Sequence, residues 1–185
     1  MASYILASQS PRRKQLLEWA EIDFEIRVAN TDESYPEGLA PAEVAVHIAR
    51  EKARVIAGRF PGTPVIAADT IVVLGDEIIG KPADRNEAIA TLRKLAGTAH
   101  EVITGVAITH GEKEVLFHDV TAVQFHPLTE EQIAFYVDKY GPYDKAGAYA
   151  IQEWIGVVGI RSIRGDFYNV MGLPVSRVVQ ALRDF

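Results

Sequence analysis

A chain of 185 residues, 48% hydrophobic and 24% charged, is sized for one domain with a substantial core, or two lobes sharing one. Its net charge of −6 argues against general nucleic-acid binding through a basic surface, and the absence of cysteine excludes disulfides, thiolate metal sites and a cysteine nucleophile. No apolar run reaches the length of a membrane span, and the N-terminal order, apolar before basic, is not that of a signal peptide, so a cytoplasmic protein is the expectation.

Tyr4-Ile5-Leu6-Ala7 reads as a short buried strand. Residues 11–20 read as a helix capped by Ser10, with Pro11 at its first position and Arg13, Leu16, Leu17 and Ala20 along one face. Residues 23–30 alternate as a strand, and residues 31–41, rich in acid, proline and glycine, read as a loop. Residues 41–57 read as a helix with Ala45, Ile48, Lys52 and Val55 on one stripe. Residues 64–82 suit two strands joined at Gly75-Asp76. A two-residue turn there sets Leu74 opposite Glu77 and Thr70 opposite Lys81, with Asp69 a neighbour of Lys81 across the hairpin. Asp84 is placed to cap the next helix, with Glu87 completing a capping-box pattern. Residues 100–125 suit a long hairpin turning near Gly111, and Thr129 with Gln132 opens a helix to about Tyr140. Residues 152–174 read as a strand followed by a glycine-rich loop, and residues 174–184 as a closing helix that buries Val175, Val178, Val179 and Leu182. Strands and helices mix without strict alternation, which predicts an α/β or α+β fold around one mixed sheet.

Several residues fit poorly as structure alone. A helix start carries partial positive charge, yet Arg12, Arg13 and Lys14 stand there on an acidic chain. One reading is a solvated basic patch with a serine cap; the other is an anion site, where backbone N–H groups, the Ser8 and Ser10 hydroxyls and the guanidinium forks meet phosphate oxygens. Lys14 lies four residues before Glu18 and is placed to pair with it. Asp69 sits in an apolar, β-branched run, where a carboxylate costs several kcal/mol unless it meets a cation, a metal or a strong donor. It is either half of a structural ion pair or a chemical group. Lys81 is either its salt-bridge partner or a phosphate clamp. Lys52, on an apolar helix stripe, either snorkels or binds phosphate. Glu33 is either an exposed charge or a hard oxygen ligand for Mg²⁺ or Mn²⁺. Gln152, a polar amide in the apolar run "AYAIQEW", either satisfies buried backbone or reads a base edge.

"GDEIIGK", residues 75–81, has the spacing of a phosphate-binding P-loop, but Pro82 replaces the hydroxyl residue that would meet Mg²⁺ and residues 77–79 read as strand, so the match is rejected. The five histidines show no metal-ligand spacing, and no G-x-S-x-G surrounds Ser8 or Ser10.

The blocks "LASQSPRRKQLL", "AREKA", "VIAADTIV", "GKP", "HEVITGVAI", "YDKAGAYAIQ" and "GDFYNVMGLP" run in order along nearly the whole chain. Together they resemble the Maf family of nucleoside triphosphate pyrophosphatases, and "AADT" and "AGAYAIQ" are similar to the branch acting on dTTP and UTP. The resemblance implies an elongated mixed sheet flanked by helices, split by a central cleft and similar to the inosine-triphosphate pyrophosphatases. It also implies hydrolysis between the α- and β-phosphates, a divalent cation, a cytoplasmic location and a homodimer. Asp69 falls at the position of the family's proton acceptor, and Arg12, Thr70 and Gln152 fall at its specificity positions. With these roles, Ser8, Arg12, Arg13, Lys52 and Lys81 would hold the triphosphate, and Asp69 with Glu33 would bind Mg²⁺ or Mn²⁺. The rival reading is a nucleotide-sensing module that controls septum formation, a process to which the family has been linked, without catalysis.

Overall fold

The structure is a computed structural model, and it describes residues 4–28 and 30–185. Strand β1 (Tyr4–Leu6) leads into helix α1 (Pro11–Trp19), strand β2 (Phe24–Ile26), helix α2 (Pro41–Ala57) and strand β3 (Val65–Leu74). A hairpin adds β4 (Glu77–Ile79), followed by α3 (Arg85–Leu95), β5 (Ala99–His110), β6 (Lys113–Phe125) and α4 (Glu130–Tyr140). Two single 3₁₀ turns, Pro142–Asp144 and Ala146–Ala148, precede α5 (Trp154–Gly159), β7 (Ile160–Arg164), α6 (Phe167–Met171) and α7 (Val175–Leu182). The strands form one seven-stranded sheet in the order β2-β1-β3-β5-β6-β7, with β4 beside β3. β1 is parallel to both β2 and β3, whereas β3–β4 and β6–β7 are antiparallel, so the sheet is mixed as the residue pattern predicts. The chain divides into two compact units. The first comprises Met1–Thr70, Thr104–Asp119 and Gly172–Phe185, and the second Ile71–Ile103 and Val120–Met171.

Local signals set most element ends. Ser10 caps α1 by accepting from the Arg13 N–H at 3.4 Å. Thr129 and Gln132 form a reciprocal capping box on α4, which stops at Gly141 in the left-handed conformation that glycine adopts without strain. At α3, Asp84 accepts from the Glu87 N–H at 2.9 Å, while the Glu87 carboxylate reaches one residue further back, to the Ala83 N–H at 2.8 Å.

Two expectations are corrected. Residues 23–30 supply only a three-residue strand, Phe24–Ile26. Residues 152–174 are helix, strand and helix rather than strand and loop. Gly156 and Gly159 break the periodicity of α5, and α5 and α6 are only six and five residues long.

In the first unit α2 lies unusually close to the sheet. Ala49, Ala53 and Ile56 pack on Ile5, Ala7, Val65, Ala67 and Ala107, all buried. Gly105 of β5 makes the approach possible, because a β-carbon there would stand 2.3 Å from the Ala45 carbonyl carbon and the Val46 nitrogen. Alternation along β3 puts Asp69 on the same face as Val65 and Ala67, beneath this helix.

In the second unit His100, Phe125 and Tyr149 form a buried, edge-to-face ring cluster, with His100 Nε2 2.6 Å from the Tyr149 hydroxyl. Burial lowers the His100 imidazole from 6.5 to about 4. Between these values the unfolded chain binds more protons than the folded one. This contribution to stability is therefore complete above about pH 6.5 and is lost as pH falls toward 4. We expect the free energy of unfolding, read from urea titrations, to fall by about 3 kcal/mol across that window. The His100→Asn variant should show a flatter slope; an identical slope in wild type and variant would refute the assignment.

Candidate active site

The start of α1 is organised around Arg13, which is 9% exposed despite its charge. Its Nε donates to the Gly172 carbonyl at 2.7 Å, Nη1 to Ser8 Oγ at 3.1 Å and Nη2 to Thr70 Oγ1 at 3.0 Å. Gly172 has φ +124, which only glycine adopts readily, and so turns its carbonyl to this guanidinium. Ser8 Oγ also accepts from the Ser10 N–H at 3.2 Å, so the hydroxyl's remaining capacity is as a donor, suited to a phosphate oxygen. Burial lowers the Arg13 pKa, and Arg12 adds to that, while the charges of Asp69 and Glu33 raise it. Arg13 is thus first a tie that fixes the helix start to β3 and to the 172 turn, within electrostatic reach of two carboxylates. Arg12 is partly exposed in the same first turn. Lys14 is exposed and pairs with Glu18 at 3.5 Å, as its spacing predicts.

Asp69 finds its cation in Lys52 rather than Lys81. Lys52 Nζ lies 2.8 Å from Asp69 Oδ1 and 2.8 Å from Glu33 Oε1. The Asp69 and Lys52 side chains are 15% and 18% exposed, whereas Glu33 is more than half exposed. The stripe of α2 thus carries Lys52 over β3 two turns beyond the Ala45–Gly105 contact. Two carboxylates share the Lys52 ammonium in a partly dry setting, with the Arg13 charge within electrostatic reach of both. Among the described residues no group of three or more His, Asp or Glu is gathered as a metal site. Asp69 and Glu33 nevertheless supply two hard oxygen donors that already share a cation. That donor chemistry suits Mg²⁺ or Mn²⁺, which take their remaining ligands from phosphate and water.

The hairpin register begins as expected, with Leu74 opposite Glu77, Val73 opposite Ile78 and Val72 opposite Ile79. The ladder then stops, which corrects the pairing of Thr70 with Lys81. The Gly80 carbonyl bonds instead to the Gly147 N–H at 3.1 Å, and Pro82 has no N–H to offer a ladder. Lys81 is exposed in the second unit. The strand Glu77–Ile79 agrees with the rejection of a P-loop.

Thr70 is absorbed into a hydroxyl network that composition alone does not reveal. Its Oγ1 lies 2.8 Å from Oγ1 of Thr104, a fully buried hydroxyl. No sequence motif marks Thr104, although a threonine inside the apolar run "EVITGVAI" is a usable signal. Gln152, in the second unit, is exposed, so it is not a satisfier of buried backbone. It lines a cavity of about 530 Å³ whose walls include Ile151, Ile160, Ile163 and Phe167, with Ser162 as a second polar group.

Fold and site together describe an α/β protein that gathers a serine, buried and half-buried cations and paired carboxylates in one unit. The chain matches the family model described as Maf-like protein over residues 3–185, and it belongs to that family. It is 53% identical to a dTTP/UTP pyrophosphatase of Cytophaga hutchinsonii, across 96% of this chain and 82% of the relative. It is 50% identical to one of Parabacteroides distasonis, across 98% and 95% of the two chains. A dTTP/UTP pyrophosphatase of Symbiobacterium thermophilum is 48% identical, across 100% of this chain and 95% of its own. No helix among the described residues is long and apolar enough to cross a membrane.

Proposed function

We propose that this chain hydrolyses dTTP and UTP to the nucleoside monophosphate and pyrophosphate. The observation that carries the reading is Asp69, a largely sheltered strand carboxylate held 2.8 Å from Lys52, whose ammonium also holds Glu33. Relatives that share about half of its residues bear the name dTTP/UTP pyrophosphatase.

In this reading Ser8, Arg12, Arg13 and Lys52 hold triphosphate oxygens, and Lys81 supplies a further phosphate contact. Asp69 accepts the proton of a water as its oxygen bonds to the α-phosphorus. The bond from that phosphorus to the bridging oxygen breaks, and pyrophosphate leaves with the electron pair. The cations offset charge gathering on the leaving group. Asp69 and Glu33 would hold Mg²⁺ or Mn²⁺, which supplies Lewis-acid activation of water and phosphate oxygens when bound. Gln152 meets the base, since one amide can both donate to and accept from the edge of uracil or thymine, and Arg12 and Thr70 share in specificity. The reading includes a cytoplasmic location and a homodimer.

A panel of canonical and modified nucleoside triphosphates with Mg²⁺ or Mn²⁺, scored for pyrophosphate, is the test. Release from UTP and dTTP that stops on chelation is expected; no release from any member would overturn the proposal. Gln152→Ala should cut the preference for UTP over CTP about tenfold, the size of one or two hydrogen bonds. An unchanged ranking would remove Gln152 from specificity.

A further inference from the structure

Gln152 is exposed, and an exposed amide can discriminate between bases only if its backbone is held still. It is the third residue of a turn closed by the Glu153 N–H donating to the Ala150 carbonyl at 3.1 Å. Both ends of this turn are tied to one atom. The Tyr136 hydroxyl oxygen accepts from the Ala150 N–H at 3.1 Å, and the hydroxyl donates to the Glu153 carboxylate. Tyr136 is fully buried on α4 and stacks on Tyr140 with ring centroids 5.0 Å apart. The buried Lys145 lies 3.7 Å from the same Glu153 carboxylate. On its far side the turn is pressed against α5, since a β-carbon on Gly156 would overlap the Ile151 carbonyl oxygen at 1.7 Å.

We infer that Tyr136 is a positioning residue for base discrimination: its hydroxyl locks the Ala150–Glu153 turn and thereby aims Gln152. This rests on the reading that Gln152 meets the base. The turn cannot pivot about its Ala150–Glu153 hydrogen bond without giving up one of the two bonds to the phenol. Without the hydroxyl, that one backbone hydrogen bond remains to hold the turn from within, and Gln152 samples orientations that no longer favour a 4-oxo pyrimidine. Sequence spacing hides the device, because Tyr136 lies 14 residues from Ala150 and 17 from Glu153.

The test compares kcat/KM for UTP and CTP in wild type, Tyr136→Phe, Gln152→Ala and the double variant, with Tm measured for each. Tyr136→Phe is expected to lower the UTP:CTP ratio about fivefold, through KM for UTP more than through kcat. The double variant should show the ratio of Gln152→Ala alone, since a lock has no effect once the group it aims is gone. A purely structural tyrosine would lower Tm and reduce both substrates alike, leaving the ratio at its wild-type value; that result overturns the inference. If Gln152→Ala itself leaves the ratio unmoved, the base reading falls and takes the role of Tyr136 with it. Should Tyr136→Phe not fold, Glu153→Ala removes one arm of the lock, and a wild-type ratio there overturns the inference equally.

Discussion

Replacing Asp69 with asparagine should lower turnover by a factor of about 10² to 10⁴ while leaving nucleotide binding within a few-fold of wild type. Asparagine keeps the size of the side chain and one carbonyl oxygen for Lys52, so β3 and the packing under α2 should survive. It cannot accept a proton from water, and it loses the charge that makes Asp69 a good cation ligand. The competing account is that Asp69 only balances Lys52. The two accounts separate cleanly, because a structural ion pair would cost stability and spare catalysis. Pyrophosphate release under saturating substrate, read beside the thermal midpoint, decides between them. Near-normal release from Asp69→Asn would remove Asp69 from the chemistry.

Gly105→Ala should be the most damaging small substitution in the first unit. The added β-carbon has nowhere to go, since the atoms 2.3 Å away are the backbone of α2 rather than the end of a flexible side chain. Either α2 lifts or β5 bends, at about 3 kcal/mol, which for a chain of this size lowers Tm on the order of 10 °C. The consequence reaches the site, because α2 also holds Lys52 over Asp69. Activity measured well below the new midpoint should therefore fall as well, beyond any loss of folded protein. A Gly105→Ala chain with wild-type Tm would show that α2 has room the packing denies it.

Which features were readable from the sequence depended on how far apart the cooperating residues lie. Ser10, Pro11 and the leucines after them announce α1 within about two turns, and Thr129 with Gln132 announces α4 within one. Gly75-Asp76 set the register of β3 and β4, because a two-residue turn leaves a hairpin one pairing. The same logic failed at Lys81, where Gly80 turns its carbonyl to Gly147, a partner 67 residues away that no local rule anticipates. Residues 152–174 hide their two helices from the sequence because elements of six and five residues carry almost no periodicity.

By itself the sequence determined that Asp69 and the cations at the α1 start needed partners, since a charge in an apolar strand or a cation at a helix N-terminus is costly alone. Only the tertiary structure decided who those partners are. Asp69 took Lys52 rather than Lys81, and Lys52 took Glu33 as well. Arg13 commits three of its five N–H donors to Ser8, Thr70 and Gly172 and keeps two for a ligand. The reason is that a desolvated charge specifies the kind of group it requires. Which such group reaches it first is set by the approach of helix to sheet, and here that approach is governed by a glycine on a different strand.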